Sequence, residues 1–384
     1  MGKSTLLNAL LSDDLAIVTS RPQTTRHAIL GVMTSDSTQI CLTDTPGIID
    51  RPAYKLQTGM MDVVRSSVRD ADAYLVVTDV YSGDGGGGGL GGVDDDESGM
   101  DDDGGRRVGK DVVGGLGIGD EMLDRLRESG RPVIVCVNKV DLVDTGEDND
   151  AVVGDENVNA PTRVVRSVLG WRSALPNALA ILPTCAANGP TDPGIVALRS
   201  MLMSNDPTID VGAAIRALGR PVPGMFANDD TLMPSVDECR DIVPVGPPLY
   251  QSDFFTDRTD RFCSSELIRE TLFTSLGKEL PYCCEVRIES FDESMRYVDD
   301  DDDGAKVGKK KSGLIRMGAT ILVERDSQKG IVVGKGGSKI RDVGIEARRK
   351  LQEFFGVKVF LDLRVKVDKN WRNDVEKLKK YGYM

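Results

Sequence analysis

The sequence predicts an α/β nucleotide-binding fold followed by a smaller α+β module, and three observations predict it. Apolar runs of β type alternate with helical patterns through the first half of the chain. The chain opens on Gly2-Lys3-Ser4-Thr5, the tail of a phosphate-binding loop of pattern G-x-x-x-x-G-K-S/T. The charge changes sign towards the C-terminal end: residues 313–384 carry 17 Lys and Arg against 9 Asp and Glu, a net of +8, which leaves −21 on the rest of a chain whose total is −13.

A length of 384 residues with 40% hydrophobic content allows two domains of ordinary size, each with a real core. No stretch approaches the roughly 18 consecutive apolar residues of a membrane span, and no basic segment followed by an apolar run marks the start as a leader. Because the chain begins inside a motif, its start says nothing of a targeting peptide. The seven cysteines, Cys41, Cys136, Cys185, Cys239, Cys263, Cys283 and Cys284, contain no C-x-x-C pair, and several fall in apolar strand-like runs. They are expected as buried free thiols in a reducing compartment. With His27 the sole histidine, a zinc centre is not expected.

Strands are predicted at 28–34, 39–43, 73–78, 132–137 and 179–183, where β-branched and apolar residues cluster. Helical patterns between several of them imply a mainly parallel sheet with helices on both faces. The runs 73–78 and 132–137 are almost wholly apolar, as strands covered on both faces are. Leu6, Leu7, Ala9 and Leu10 give the helix behind Lys3 a face to bury. Residues 83–119 combine a glycine run, Gly85 to Gly89, with acidic clusters such as Asp94-Asp95-Asp96, and such a composition is expected to be disordered because it cannot offset its ordering entropy. Residues 299–312 set five aspartates against Lys309-Lys310-Lys311 and read as a solvated hairpin tip. Residues 205–251, rich in Pro and Gly, show little periodicity and are expected to be irregular. The C-terminal module reads α-β-β-α-α-β: a helical pattern at 264–276, strands at 283–291 and 314–324, a glycine loop, a helical stretch through Phe355 and a strand at 358–367.

Four stretches carry chemistry. Asp44-Thr45-Pro46-Gly47 is an ordinary turn by itself; downstream of a GKS and at a strand end it reads as a carboxylate that holds Mg²⁺ through water and a Gly47 N–H that meets a γ-phosphate. Asn138-Lys139-Val140-Asp141 follows a buried strand. A carboxylate there accepts both the N1–H and the N2–H₂ of guanine, whereas adenine offers an acceptor and no amine. By analogy with the about 1–3 kcal/mol of a bidentate base contact, Asp141 is expected to select GTP over ATP. Gln23-Thr24-Thr25-Arg26-His27 lies between the first helix and the next strand, where a loop brings a Thr hydroxyl to Mg²⁺. His27 reads as a structural or surface imidazole rather than a general base. Gly334-Lys335-Gly336-Gly337 is a G-x-x-G loop, whose small residues let a sugar–phosphate backbone approach the start of the following helix. Lys335, Lys339 and Arg341 supply charge there, and Ile331, Val332 and Ile340 are the expected lining for unstacked bases.

Taken together these stretches resemble the Era GTPases, a family that joins a Ras-like P-loop G domain to a C-terminal type II KH domain and assists assembly of the small ribosomal subunit. The resemblance rests on QTTRH at Gln23 to His27, on DTPG and NKVD, on Thr256-Asp257-Arg258 with Arg261-Phe262, on Glu279-Leu280-Pro281-Tyr282, and on Ile345-Glu346-Ala347-Arg348. Many GTPases share the first three, and few carry the rest. It implies a G domain lacking its first strand over 1–204, an irregular insertion or linker over 205–251, and an α+β type II KH domain over 252–384. It also implies GTP or GDP with Mg²⁺ as cofactors. Gly2, Lys3, Ser4 and Thr5 would hold the phosphates; Ser4, Thr25 and Asp44 the metal; Thr24, Thr25, Asp44, Thr45, Pro46 and Gly47 the γ-phosphate region. Asn138, Lys139 and Asp141 would read guanine, with a backbone N–H from Thr184-Cys185-Ala186 supporting the base oxygen. Cys185 stands where the family usually has Ser. Lys3, Thr25 and Gly47 would carry the catalytic part. Ile48 follows Gly47 where many GTPases place a water-orienting Gln, so slow hydrolysis resting on electrostatic stabilisation is expected.

The family's first strand, the first Gly of its loop and a cation-holding Asn are absent from this sequence, which implies a gap in the sheet and a half-built phosphate nest. The implied partners are small-subunit ribosomal RNA and the small ribosomal subunit, bound by a monomer. The compartment is an organelle, chloroplast stroma or mitochondrial matrix, if the source is eukaryotic, as the Gly/Asp inserts suggest, and the cytoplasm if it is bacterial. Two functions of different classes follow: a GTP-hydrolysing switch coupled to RNA, and a nucleotide-independent RNA-binding assembly factor whose G domain is only a scaffold. Preference for GTP over ATP separates them. Another assembly GTPase with a TTR-type switch would not supply the C-terminal half.

Overall fold

The computed structural model describes residues 1–80, 119–143, 163–218, 234–296 and 313–384, apart from positions 17, 20, 22, 50 and 278. Of the glycine-rich segment predicted at 83–119, residues 83–118 lie outside the described residues, as does the charged tip predicted at 299–312. In chain order the elements are α1 (Lys3–Leu11), β1 (Ile29–Thr34), β2 (Gln39–Asp44), α2 (Lys55–Asp70), β3 (Tyr74–Asp79), α3 (Asp120–Glu128), β4 (Val133–Asn138), α4 (Arg163–Ala174), β5 (Ala180–Pro183), α5 (Pro193–Leu202), α6 (Val211–Leu218) and α7 (Val236–Arg240). There follow α8 (Asp260–Ser275), β6 (Glu285–Met295), β7 (Leu314–Val323), α9 (Asp326–Val333), α10 (Ser338–Phe355), β8 (Lys358–Val367) and α11 (Val375–Lys380). The chain divides into two compact units: Met1–Asp13, Met33–Ile40 and Asp70–Asp253 form the first, and Asp14–Val32, Cys41–Arg69 and Phe254–Met384 the second.

In the first unit β3, β4 and β5 make a parallel sheet in that order, with Tyr74 opposite Val133 and Ile134 opposite Ala180. All of β4 is buried, because VIVCVN offers no side to water and must be covered on both faces. Val133, Val135 and Val137 pack into a core with Leu123 and Leu126 of α3, Val168 and Trp171 of α4, and Ile181 of β5. Because the strands are parallel, their C-terminal ends share one edge, and the residues that follow β4 and β5 emerge side by side there. β1 and β2 form a separate two-stranded sheet.

Residues 205–251 differ from the irregular segment expected. They contain α6 and α7, each started by a side chain: Asp210 Oδ1 accepts from the Ala213 N–H at 2.8 Å, and Ser235 with Glu238 forms a capping box. The buried-thiol expectation fails at Cys41, which is exposed on β2, and at half-buried Cys283; all seven cysteines are free.

The second unit holds a sheet of order β6-β7-β8, with β6 antiparallel to β7 and β7 parallel to β8. Ile268 and Leu272 of α8 and Val343, Ala347 and Leu351 of α10 pack with Ile315, Met317 and Ile321 of β7. The spacing of the α10 residues at i, i+4 and i+8 is the apolar stripe of a helix lying on a sheet. The predicted α-β-β-α-α-β order is present. Helix α11 and a 3-10 turn at Trp371–Asn373 were not foreseen; Trp371 is fully buried, and its indole N–H donates to the Cys283 carbonyl at 3.2 Å.

At the start of α5 the backbone of Gly194 lies so close to β5 that a Cβ would overlap the Pro183 carbonyl oxygen and press on Thr184. Replacing Gly194 by Ala is therefore expected to destabilise the first unit by about 1–3 kcal/mol through overpacking, read as a lowered urea midpoint at unchanged slope. An unchanged midpoint would show that the close approach is not required.

Candidate functional site

The first unit carries the phosphate-loop and base-reading residues. Gly2 precedes α1 with φ 88°, and the helix has neither a side-chain cap nor an acidic residue in its first turn. The N–H groups of its first turn therefore present partial positive charge, the setting in which helix N-termini hold phosphate. Lys3 and Thr5 are half-buried and Ser4 is buried. Asn138, at the end of β4, is 2% exposed. Its Oδ1 accepts from the Ala186 N–H at 2.9 Å and from the Thr184 hydroxyl at 3.3 Å, while its Nδ2 donates to the Met1 carbonyl at 2.9 Å. Asn138 is thus a brace between three segments. Lys139 follows with φ 64°, which turns the chain so that Asp141 is exposed. The Cys185 thiol donates to Asp141 Oδ1 at 3.0 Å. Burial, and then the bond to Asp141, push the Cys185 thiol up, so it stays a neutral donor that orients the carboxylate.

The segment expected to support a base oxygen makes hydrogen bonds of its own. The three backbone N–H groups of Thr184, Cys185 and Ala186 are already used: they donate to the Val137 carbonyl at 2.9 Å, to Asp192 Oδ1 at 3.2 Å and to Asn138 Oδ1 at 2.9 Å. Asp192 was missed by the sequence reading; it caps α5 by accepting from the Gly194 and Ile195 N–H groups as well. Its signal was present as Asp-Pro-Gly, an N-cap followed by proline at the first helical position.

The second unit carries Thr24, Thr25, Asp44, Thr45, Pro46 and Gly47. Thr25 and Asp44 are buried, and the Thr25 hydroxyl donates to Asp44 Oδ2 at 3.3 Å. A hydroxyl and a carboxylate oxygen side by side are the hard donors that Mg²⁺ takes. Among the described residues no cluster of three His, Cys, Asp or Glu could form a metal cage. Thr45 and Gly47 are half-buried, Pro46 is buried and Ile48 is exposed.

Around Thr25 lies a buried charge network that the sequence did not reveal. Arg26, 4% exposed, donates to the carbonyls of Cys284 at 2.8 Å, Tyr282 at 3.0 Å and Pro281 at 3.3 Å, and to Glu285 Oε2 at 3.1 Å. Arg269 donates to the Thr24 carbonyl at 2.6 Å and pairs with both oxygens of Glu266. Burial works to raise Glu266, but Arg269 outweighs it and holds the carboxyl below its ordinary range. Burial does push Glu285 up, Arg26 and the Tyr383 hydroxyl limiting the rise. His27 stacks on Tyr383 at 4.3 Å and meets Phe262 edge-on at 5.5 Å. Burial pushes its imidazole down to about 4, so it is neutral at physiological pH and built into the network, as a structural histidine should be.

The glycine loop also lies in the second unit. Gly334, Gly336 and Gly337 have φ of 74°, 59° and 77°, values that side chains resist and that let the loop stay narrow. Helix α10 starts behind it without a side-chain cap or an acidic residue in its first turn. Lys335, Lys339 and Arg341 are exposed and form no ion pair among the described residues. Ile331 is 51% exposed and Ile340 half-buried, but Val332 is 0% exposed within the core. Val332 therefore cannot line a base-binding surface; on α9 that face belongs to Ile331.

Comparison with known proteins agrees with this geometry. A family model described as "50S ribosome-binding GTPase" matches residues 1–139, and one described as "KH domain" matches residues 303–372. "GTPase Era" of Xylella fastidiosa (strain M12) is 30% identical over 385 residues, covering 100% of this chain and 93% of that protein. "GTPase ERA1, chloroplastic" of Zea mays is 28% identical over 386 residues, covering 100% and 68%. Among solved structures, that of Era in complex with MgGDPNP and nucleotides 1506–1542 of 16S ribosomal RNA matches with a TM-score of 0.65 at 22% identity, over 100% of this chain and 94% of that one. No helix among the described residues is long and apolar enough to cross a membrane.

The depressed His27 value gives the second unit an acid sensitivity whose sign is fixed. Below the ordinary histidine pKa near 6.5 the unfolded chain takes up a proton that the folded one refuses until about 4, so stability is full above 6.5 and falls as the pH drops towards 4. Between pH 7 and 4.5 the wild-type chain is expected to lose roughly 2–3 kcal/mol more than a His27→Gln variant, measured from urea midpoints. Equal losses in the two proteins would refute the assignment.

Proposed function

The chain belongs to the Era family of GTPases, and from that premise we propose that it is a GTP-hydrolysing switch that binds small-subunit ribosomal RNA and assists assembly of the small ribosomal subunit. The observation that carries the reading of the nucleotide is Asp141: exposed at the end of β4 and oriented by the Cys185 thiol, it offers a carboxylate to the two donors of guanine. Lys3 and the uncapped start of α1 hold the phosphates. Thr25 and Asp44, and likewise Ser4, would hold Mg²⁺, which when bound would supply positive charge to the phosphates. The Gly47 N–H meets the γ-phosphate, and Lys3 stabilises the charge that develops as it departs. Ile48 brings no group that could orient water, which supports slow intrinsic turnover.

The RNA reading rests on Gly334–Gly337 with Lys335, Lys339 and Arg341, on Ile331 and Ile340, and on the RNA held by the solved Era complex. The division into a G domain over 1–204, a connecting segment over 205–251 and a KH domain over 252–384 belongs to the same reading. Relatives occur in bacteria and, by name, in chloroplasts; an organelle matrix or stroma is the compartment we infer for a eukaryotic source and the cytoplasm for a bacterial one.

Two measurements test this. In equilibrium binding with Mg²⁺ present, GTP should be retained over ATP, and Asp141→Asn should weaken GTP by roughly 10- to 100-fold, equivalent to about 1–3 kcal/mol; unchanged selectivity in the variant would remove Asp141 from the site. For RNA, Lys335→Asp with Gly336→Asp should weaken a single-stranded ribosomal RNA segment at all salt concentrations and flatten its salt dependence. Undiminished affinity would detach the loop from RNA binding.

A further inference from the structure

The second unit contains a cleft of about 260 Å³ beside the buried charge network and away from the glycine loop. Cationic side chains dominate its walls: Arg258, Arg261, Arg287 and Lys380, joined by His27 and Ser265. Two carboxylates also line it, and both are already engaged. Glu266 gives both oxygens to Arg269, and Glu285 Oε2 accepts from Arg26 at 3.1 Å and from the Tyr383 hydroxyl at 2.6 Å. Each therefore has its own buried guanidinium, so neither compensates Arg261, Arg287 or Lys380. Arg261 and Arg287 form no ion pair among the described residues; they lie over the rings of Phe291 at 5.9 Å and Tyr381 at 5.4 Å. An aromatic face orients a guanidinium without neutralising it. Lys380 is within electrostatic reach of Asp368, but that carboxylate already takes hydrogen bonds from Lys377 and Tyr381. Arg258 is engaged already: its Nε faces Asp257 at 3.3 Å and its guanidinium donates to the Ala28 carbonyl, so the free charge of the cleft is that of Arg261, Arg287 and Lys380.

We propose that this cleft binds a phosphate group, supplied either by an RNA backbone or by a phosphorylated small molecule. Two guanidinium forks held by rings suit the bidentate geometry of phosphate oxygens, and Lys380 adds a point charge. The volume is below the roughly 300 Å³ at which pockets begin to enclose drug-sized ligands, which fits a phosphate or pyrophosphate and not a whole nucleotide. The proposal does not rest on the GTPase reading, since none of the lining residues belongs to the nucleotide or glycine-loop sites.

The test uses the full chain, inorganic pyrophosphate as calorimetric probe, and two variants: Arg261→Gln with Arg287→Gln, and Lys380→Gln alone. The single variant removes a charge but no hydrogen bond among the described residues, so it reports even where loss of the arginine stacking lowers stability. The double variant is expected to bind pyrophosphate at least tenfold more weakly, and Lys380→Gln several-fold more weakly at an unchanged thermal midpoint. An RNA titration over a range of salt distinguishes the sources. If the phosphate comes from RNA, both variants lower the salt slope by about one for each phosphate that is no longer neutralised; if it comes from a small molecule, the slope stays while pyrophosphate binding falls. Pyrophosphate affinity and RNA salt slope both equal to wild type in both variants would overturn the proposal.

Discussion

A guanidinium removed from water is the constraint on which the second unit is built. Arg26 stays charged in the interior only because four acceptors converge on it, three backbone carbonyls and one carboxylate; an unpaired charge there would cost several kcal/mol. The demand dictates the path of the chain. The 3-10 turn at Leu280–Cys283 turns successive carbonyls to one side, which is what an extended segment could not do. Arg269 imposes the same discipline on the other flank by holding the Thr24 carbonyl. Between two residues so anchored, Thr25 has little freedom, and its hydroxyl meets Asp44. The position of the Thr25 hydroxyl is therefore set by charges that the α8 helix and the 279–285 segment supply.

The first unit solves a comparable problem with a neutral side chain. Asn138 has both an acceptor and a donor end, and it uses them to tie the end of β4 to the 184–186 segment and to the chain before α1. Asp192 completes the arrangement from below by taking the Cys185 N–H. Once these bonds are made, the N–H groups of Thr184, Cys185 and Ala186 all have acceptors within the protein, and the end of β4 leaves one exposed carboxylate, that of Asp141.

How much of this was legible follows from the range over which each feature acts. The strands at 73–78 and 132–137 could be read because an unbroken apolar run has one physical meaning when flanked by helical patterns. The motifs at Asp44, Asn138 and Gly334 could be read because their chemistry is local, contained in four consecutive residues. Helix α7 was missed although Ser235 and Glu238 spell a capping box, because the surrounding prolines and glycines masked a helix only five residues long. The Arg26 network was not legible at all. Its partners lie more than 250 positions away, and nothing in QTTRH says that the arginine is buried. Val332 failed for a related reason: adjacent Ile331 and Val332 look alike in sequence, and only the packing of α9 decides which of them meets the core.

Burial also decides what the charge of the chain means. A total of −13 argues against a nucleic-acid partner if taken as a uniform property, but charge acts on phosphates only where it is exposed and uncompensated. Arg26 and Arg269 contribute to the sum and nothing to an external field, since Glu285 and Glu266 cancel them in the interior. Lys335, Lys339 and Arg341 contribute fully, because they stand in water beside a helix start that carries no acidic residue. A surface on which carboxylates outnumber cations repels a polyanion and lowers non-specific association, so a net charge summed over the whole chain and the charge of one exposed face can point to opposite partners.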